Sequence, residues 1–356
     1  MNVSQATKSF EQWLRTQTNV VESALRHKHE QMKADLFSFY RGTFYRWIEL
    51  WSQGPKDLQN APSVLAVGDL HVDSFGTWRD LEGRLAWGVD DFDEAYPLPY
   101  TNDLVRLATS VKVVVDAETL SVSLKSACDI ILQGYEQSIK DNGRPVILAE
   151  EQRTLETLGV REIKPAENFW QNLNQLPVVR SGLPTDARTA MEHALPKGLV
   201  YKTVKRQAGV GSLGQARFVA LGEWKGGFVA REAKAMVPSS CVWLQPTGDR
   251  RSYYDRIIGQ AVRSHDPFQR VVKGYLIRRL APDSNPISIL DWPGKRDEEA
   301  LLYSMGAEAA NVHLGSKAKV PQILKDLKTR PTGWLKAAAK HFAKATERDW
   351  QDYRKG

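Results

Sequence analysis

Two short apolar runs, Val64 to Val67 and Leu85 to Val89, are each stopped by a turn rich in carboxylates, and this pairing restricts the fold more than any other feature of the chain. Runs of this length, ended by Gly68 and by Asp90, read as buried strands. Their ends deliver Asp69, His71 and Asp73, and then Asp90, Asp91, Asp93 and Glu94, to one place. Carboxylates crowded in an apolar setting repel and raise one another's pKa unless a cation neutralises them. Mg²⁺ together with a phosphorylated ligand meets that requirement. The competing reading is a pair of Asp-rich turns; turns favour Asp but seldom place it directly after two closely spaced apolar runs.

A chain of 356 residues, 42% apolar and 26% charged, is long enough for one large or two medium domains with a true core. The net charge of +7 suits an anionic partner such as a nucleotide, although the dispersed basic residues also describe an ordinary solvated surface. No basic run interleaved with aromatics argues for nucleic acid. Cys128 and Cys241 lie far apart and lack His spacing, so neither a disulfide framework nor a zinc site is indicated, and a reducing cytosol fits. The start, MNVSQATKSFEQW, has no basic segment followed by an apolar core, and no apolar run reaches membrane-spanning length. The expectation is a cytoplasmic protein with no membrane partner.

From Ser4 to about Gln53, apolar residues at helical spacing (Phe10, Trp13, Leu14; Val21, Ala24, Leu25; Phe37, Tyr40, Phe44, Trp47) predict three helices. Within them FYRG carries Arg41, either a clamp for phosphate or carboxylate or the partner of a neighbouring acid. Pro97 and Pro99 precede the helix NDLVRLATSVKVVVDA, capped by Thr101 or Asn102, with Asp103 at the favourable end of the helix dipole. Another helix spans Ser121 to Lys140. The Pro- and Gly-broken stretch from there to Gly198 reads as the region between lobes.

Beyond Leu199, alternation at Val200 and Val204, at Ala216, Phe218 and Ala220, and at Phe228 and Ala230 predicts an antiparallel sheet. Its first turn holds Gly209, Gly211 and Gly214 in a G-x-G-x-x-G pattern with Ser212 inside. In a dinucleotide-binding fold such a turn opens a helix; here alternation continues on both sides. What remains is a hairpin whose backbone N–H groups can approach phosphates, or an ordinary hairpin. The next strand, GFVAREAKAMV, carries Arg231, Glu232 and Lys234, where a cation can meet a ligand's phosphates. A helix around Ser252 to Arg263, a strand Val271 to Leu280, a hinge at Pro282 to Pro286, the helix Glu298 to His313 and two more helices complete the chain.

GDLHVDSFG, VDDFDE and DLVRLATS resemble the catalytic half of the protein-kinase-like superfamily, particularly the aminoglycoside and choline phosphotransferases. The Gly-rich hairpin and basic strand resemble that superfamily's N-lobe, but here they follow the catalytic motifs. GAEAANVH, ending at His313, resembles the small-residue helix that normally leads into the catalytic loop. The resemblance implies a circularly permuted, bilobal, protein-kinase-like α+β fold with a helical catalytic lobe and a small antiparallel β-sheet lobe. Folded domains tolerate such a change when the old termini can be joined. The same ordered motifs also resemble the bacterial "domain of unknown function 2252" family, from about Leu36 to Tyr353. The implied division is N-terminal helices over residues 1–60, a catalytic region over 61–195, a Gly-rich-loop sheet region over 196–290 and completing helices over 291–356.

By this resemblance Asp69 is the catalytic Asp and Asp103 braces its loop. Asp91 binds Mg²⁺ with Asp93 as a second acid, and Gly209, Gly211, Ser212 and Gly214 cover the phosphates of ATP. Arg41 belongs to a motif of unassigned role. Three positions depart from the pattern. Ser74 stands where the Asn expected to hold a second metal would be, leaving Ser74, or Asp73 as a substitute, to ligate it. Arg231 replaces the Lys of K-E-A, leaving Arg231 or Lys234 to meet the nucleotide. SYYDRIIGQAVRSH lacks the usual Glu, leaving Gln260 or Asp255. His71 and His313 read as structural.

The leading expectation is an ATP–Mg²⁺-dependent phosphotransferase acting on a hydroxyl-type acceptor, either a small molecule or a protein; nucleotidyl transfer uses the same parts. Ser74 and Arg231 favour the alternative of a nucleotide-binding pseudokinase or scaffold. Gly68 to His71 also opens the metallophosphoesterase motif set, but the other histidines lack the contexts that class needs.

Overall fold

The structure, a computed structural model, describes residues 1–117, 120–151, 166–284 and 298–356. It is an α+β arrangement in which a helical body carries one five-stranded antiparallel sheet and two smaller ones. No helix among the described residues is long and apolar enough to cross a membrane.

Both expected acid-bearing strands form, in separate ladders. β1 (Ser63–Ala66) is followed by β2 (Phe75–Arg79), β3 (Leu85–Val89) and β4 (Tyr96–Pro99); β1 pairs with β4, and β3 pairs with β2 and with β5 (Val146–Ile147). Pro97 and Pro99, read above only as breaks, sit within β4, where pairing on a single side spares the missing N–H groups.

The large sheet runs in the order β6 (Lys202–Lys205), β7 (Arg217–Trp224), β8 (Gly227–Ala235), β10 (Tyr275–Leu280), β9 (Arg270–Val272). The single strand expected over Val271 to Leu280 is a hairpin, because Lys273 and Gly274 take positive φ values of 50° and 78°, the conformation of a tight turn that matches strand twist.

Four helices, not three, fill the N-terminal region: Val3–Gln17, Glu22–Ala34, Leu36–Gly42 and Phe44–Gln53. Thr43 leaves helical geometry (φ −127°, ψ 42°) and separates the last two. The helix Tyr100–Asp116 begins at Pro99 and is capped by neither expected residue. Thr101 Oγ1 donates to Leu58 O at 2.6 Å, and the Asn102 side chain is engaged by Trp47 and Gly68, so both are spent on tertiary contacts. The helix Leu124–Lys140 is capped by Ser123, whose hydroxyl accepts from Ser126 N at 3.1 Å.

A continuous apolar core runs through the helical body from Phe37 to Phe342. Within it the helix Glu298–His313 lies against Leu124–Lys140 so closely that a Cβ on Gly134 would stand 2.0 Å from Tyr303 O. The large sheet buries its two faces separately. Phe218, Ala220, Ala233 and Ile277 meet the helix Thr185–Glu192, whereas Val204, Val219 and Leu280 meet the helix Ala166–Asn174. These two helices therefore pack on the sheet. The helices Ser240–Leu244 and Tyr254–Gln260, expected with the sheet, bury Cys241, Val242, Tyr254 and Ile257 in the helical body. Residues 285–290 of the expected hinge and sheet region lie outside the described residues, as do 291–297 of the last region.

Candidate functional site

The first acidic loop leaves β1 through Gly68, whose φ of +83° suits glycine and where a Cβ would stand 2.4 Å from Glu94 O. Behind it, Asp103 accepts from Val67 N at 2.7 Å and Gly68 N at 3.0 Å, and Asn102 Nδ2 donates to Gly68 O at 3.0 Å. Asp103 and Arg106 are three residues apart and share one helix face. Arg106 thus reaches Asp69, donating Nε to Oδ1 at 2.5 Å. Its guanidinium is fully buried and lies 4.2 Å from the Tyr40 ring centroid and 4.9 Å from that of Trp47. Burial raises the Asp69 pKa, against the opposing pull of Arg106.

Within the same loop His71 Nδ1 accepts from Asp73 N at 3.2 Å. Burial, reinforced by Arg41 and Arg106, holds the His71 pKa well below its ordinary value, so the ring is neutral. Arg41 donates to Asp73 and lies over Phe37, 5.1 Å from the ring centroid. Ser74, expected as a metal ligand, is buried and absent from the cleft lining. Its hydroxyl donates to Asp69 O and accepts from His71 N, both at 3.0 Å, so the loop itself consumes it.

The second acidic turn ends β3. Asp91 is exposed within the cleft; burial among protein groups pushes its carboxyl up, but Lys234, Arg278 and Arg217 outweigh it and hold the pKa below the ordinary value. Burial takes the neighbouring Asp90 up to about 7, with Arg278 opposing and Asp91 adding to the rise. Asp93 pairs with Lys234, and among the described residues its buried Oδ1 has no partner. Burial brings Lys234 down to about 8. Glu94, which burial raises to about 7, accepts from Ser239 Oγ at 2.8 Å, Ser240 N at 2.6 Å and Ser240 Oγ at 2.7 Å.

Opposite these acids stands the turn between β6 and β7, where Gly209 takes φ +72° and Val210–Ser212 form one tight helical turn. Lys28 Nζ donates to Gly211 O at 3.0 Å, and Val21 N donates to Gly214 O at 2.8 Å, so the N-terminal helices hold the turn. Gly209, Gly211, Ser212, Arg41, Asp69, Asp91, Asp93 and Lys234 all line one cleft of about 460 Å³.

Gly214 and Asp103 do not line this cleft; Asp103 acts from beneath it. Arg231 is also displaced, because alternation along β8 turns Glu232 and Lys234 toward the cleft and Arg231 to the opposite face. There Arg231 donates to Ala194 O at 3.0 Å and lies 3.8 Å from the Phe268 ring centroid. Asp255 accepts from Val271 N at 2.9 Å, and the partner Lys234 finds is Asp93. Sequence reasoning missed Lys28, Arg106, Arg206, Arg217 and Arg278. Arg106 was signalled by its i+3 spacing from Asp103, and Arg217 and Arg278 by period-2 alternation; Lys28 carries no local signal.

Among the described residues no three His, Cys, Asp or Glu side chains gather closely enough to form a metal site. The donors present nevertheless suit Mg²⁺, which takes one or two carboxylates and completes its shell with water and phosphate oxygens. Asp91, ionised and open to the cleft, and the unpartnered Oδ1 of Asp93 are such donors.

Residues 20–175 match the model of a family described as "Uncharacterized protein conserved in bacteria (DUF2252)". The match contains both acidic turns and Asp103 and ends before the Gly-rich turn, so it covers less than the span from Leu36 to Tyr353 expected above. No curated protein and no solved structure matches the chain.

Proposed function

We propose that the cleft binds ATP with Mg²⁺ and that the protein transfers a phosphoryl group to a hydroxyl acceptor, in a circularly permuted, kinase-like arrangement of a helical lobe and a sheet lobe. The observation that carries this reading is the shared cleft: Gly209, Gly211 and Ser212 line it together with Asp69, Asp91 and Lys234.

Asp69, steered by Arg106, takes the proton of the acceptor hydroxyl as its oxygen bonds to the γ-phosphorus and the bond to the departing ADP breaks. The raised pKa of Asp69 increases its basicity for that step. Asp91 and Asp93 would hold Mg²⁺, which would supply charge neutralisation for the phosphates. Lys234, freed from Asp93, and the backbone N–H groups of the Gly-rich turn neutralise the remaining charge.

The test is calorimetric titration of ATP with and without Mg²⁺, followed by chromatography of the nucleotide products against a panel of hydroxyl acceptors. ADP with a phosphorylated acceptor supports phosphoryl transfer, and diphosphate with an acceptor that carries the AMP group supports nucleotidyl transfer. Absence of Mg²⁺-dependent ATP binding overturns the proposal.

Two observations favour the reading of a non-catalytic nucleotide binder: Asp93 and Lys234 neutralise each other, and Ser74 is spent within its loop. ATP binding without turnover against any acceptor selects it.

A further inference from the structure

The sheet side of the cleft holds a second group of charges, which also acts on Asp90 and Asp91 of the second acidic turn. Glu232 is wholly buried at the centre of β8, and three guanidinium groups converge on its carboxylate: Arg206 Nη1 at 2.6 Å, Arg278 Nε at 2.8 Å and Arg217 Nη1 at 2.9 Å. They come from the end of β6, from β10 and from β7, so the sheet register assembles the group. Arg278 stands directly across from Glu232 in the β8–β10 ladder. The three arginines hold Glu232 well below its ordinary pKa against the effect of burial, so it is ionised.

Glu232 alone does not balance three guanidinium groups; Asp91, whose carboxyl Arg278 and Arg217 help to hold ionised, offsets part of the remainder, and all three arginines line the cleft. Nearby Lys234 is already matched by Asp93. The hydrogen bonds are also incomplete. Among the described residues Arg278 donates to Glu232 through Nε alone and Arg206 through Nη1 alone. Arg217 donates its Nη2 to Ser212 Oγ at 2.5 Å, which ties the group to the Gly-rich turn, and its Nε is buried without a partner. Guanidinium forks with donors left over on a cleft wall attract anions, and several such forks around one centre suit phosphate oxygens.

We propose that Arg206, Arg217 and Arg278, gathered by Glu232, form an oligophosphate-binding site. Glu232 is a positioning residue that keeps the three forks together without meeting the ligand. The site would take the charge of a polyphosphate chain, complementing the Gly-rich turn that Arg217 reaches through Ser212. The inference deepens the nucleotide reading and rests on it for the identity of the ligand; its own chemistry requires only adjacent phosphates.

The test uses inorganic tripolyphosphate in magnesium-free buffer, and ATP with Mg²⁺ separately, both followed by calorimetry on the full chain. Arg206→Gln and Arg278→Gln are expected to weaken tripolyphosphate binding about tenfold each, and Arg278→Lys, which keeps charge but loses the fork, to recover part of the loss. Lys205→Gln, an exposed change of equal charge, should bind as wild type does. If Arg278→Gln does not fold, Arg206→Gln decides, because its side chain is partly exposed. Unchanged tripolyphosphate binding in the folded arginine variants overturns the site, while ATP–Mg²⁺ binding in wild type still supports the nucleotide reading. Tripolyphosphate binding that depends on the arginines, without any ATP–Mg²⁺ binding, supports the site and overturns the nucleotide reading. Failure of wild type to bind either ligand overturns both.

Discussion

Asp103 and His313 are 210 positions apart in the chain and meet inside the helical body, with His313 Nε2 3.0 Å from Asp103 Oδ2 and both side chains wholly buried. His313 Nδ1 lies 2.9 Å from the Tyr135 hydroxyl, so both ring nitrogens are engaged. A few residues on, Ser316 Oγ accepts from Leu65 N at 2.9 Å. The end of the helix Glu298–His313 is thereby joined to the base of the first acidic loop, although the chain reaches it only after the entire sheet has been built.

Asp103 should therefore matter for stability before it matters for chemistry. Asp103→Ala leaves the N–H groups of Val67 and Gly68 and the ring of His313 without their acceptor in the interior, at a cost of about 3–5 kcal/mol. Urea unfolding measures it, and a loss below about 1 kcal/mol would remove Asp103 from the bracing role.

Asp91→Ala should abolish Mg²⁺-dependent ATP binding and leave the melting temperature nearly unchanged, since the side chain is exposed within the cleft and a hard-cation site loses a charged oxygen. Calorimetry with and without Mg²⁺ separates the two effects. Wild-type affinity in the variant would sink the metal assignment.

Asp69→Asn should keep ATP affinity within about threefold of wild type and reduce turnover by about 100-fold or more, because Asp69 acts on the acceptor proton. Steady-state rates under saturating ATP check this. An equal loss of affinity would place Asp69 on the nucleotide instead.

Glu94 gives the fold a pH dependence of definite sign. Its carboxyl rises from 4.5 to about 7 on burial, so the neutral form is the favoured one in the folded protein. The stability it contributes is fully present below about pH 4.5 and is lost as pH rises through about 7. Glu94→Gln can donate to Ser240 Oγ while accepting from Ser240 N. It should remove on the order of 1–2 kcal/mol of that decline, as read from urea unfolding at a series of pH values, the partial exposure to the cleft limiting the effect. An unchanged pH profile would count against this account of Glu94.

Much of the site was readable from local pattern. Apolar runs stopped by acids announced β1 and β3, because strands impose a short period on the residues that share a face; the i, i+3 spacing that sets Arg106 beside Asp103 is equally local, although Arg106 was not among the expected site residues. Alternation on both sides of Gly209 to Gly214 likewise distinguished a hairpin from a helix-opening turn. The failures follow from the same source. Arg231 and Lys234 are both basic and close in sequence, yet β8 turns them to opposite faces, and only the register against β7 and β10 shows which face is the cleft.

The sequence by itself determined which residue types stand at the strand ends, where the chain turns and which segments are amphipathic. Tertiary structure alone decided that Ser74 is spent inside its loop and that Asp93 meets Lys234. It also decided that Lys28 holds the Gly-rich turn and that three arginines converge on Glu232. The physical reason is distance along the chain. Local periodicity reports only neighbours within a turn or a pleat, whereas a charge finds its partner according to which buried surfaces the whole core brings together, and here those surfaces come from opposite halves of the sequence.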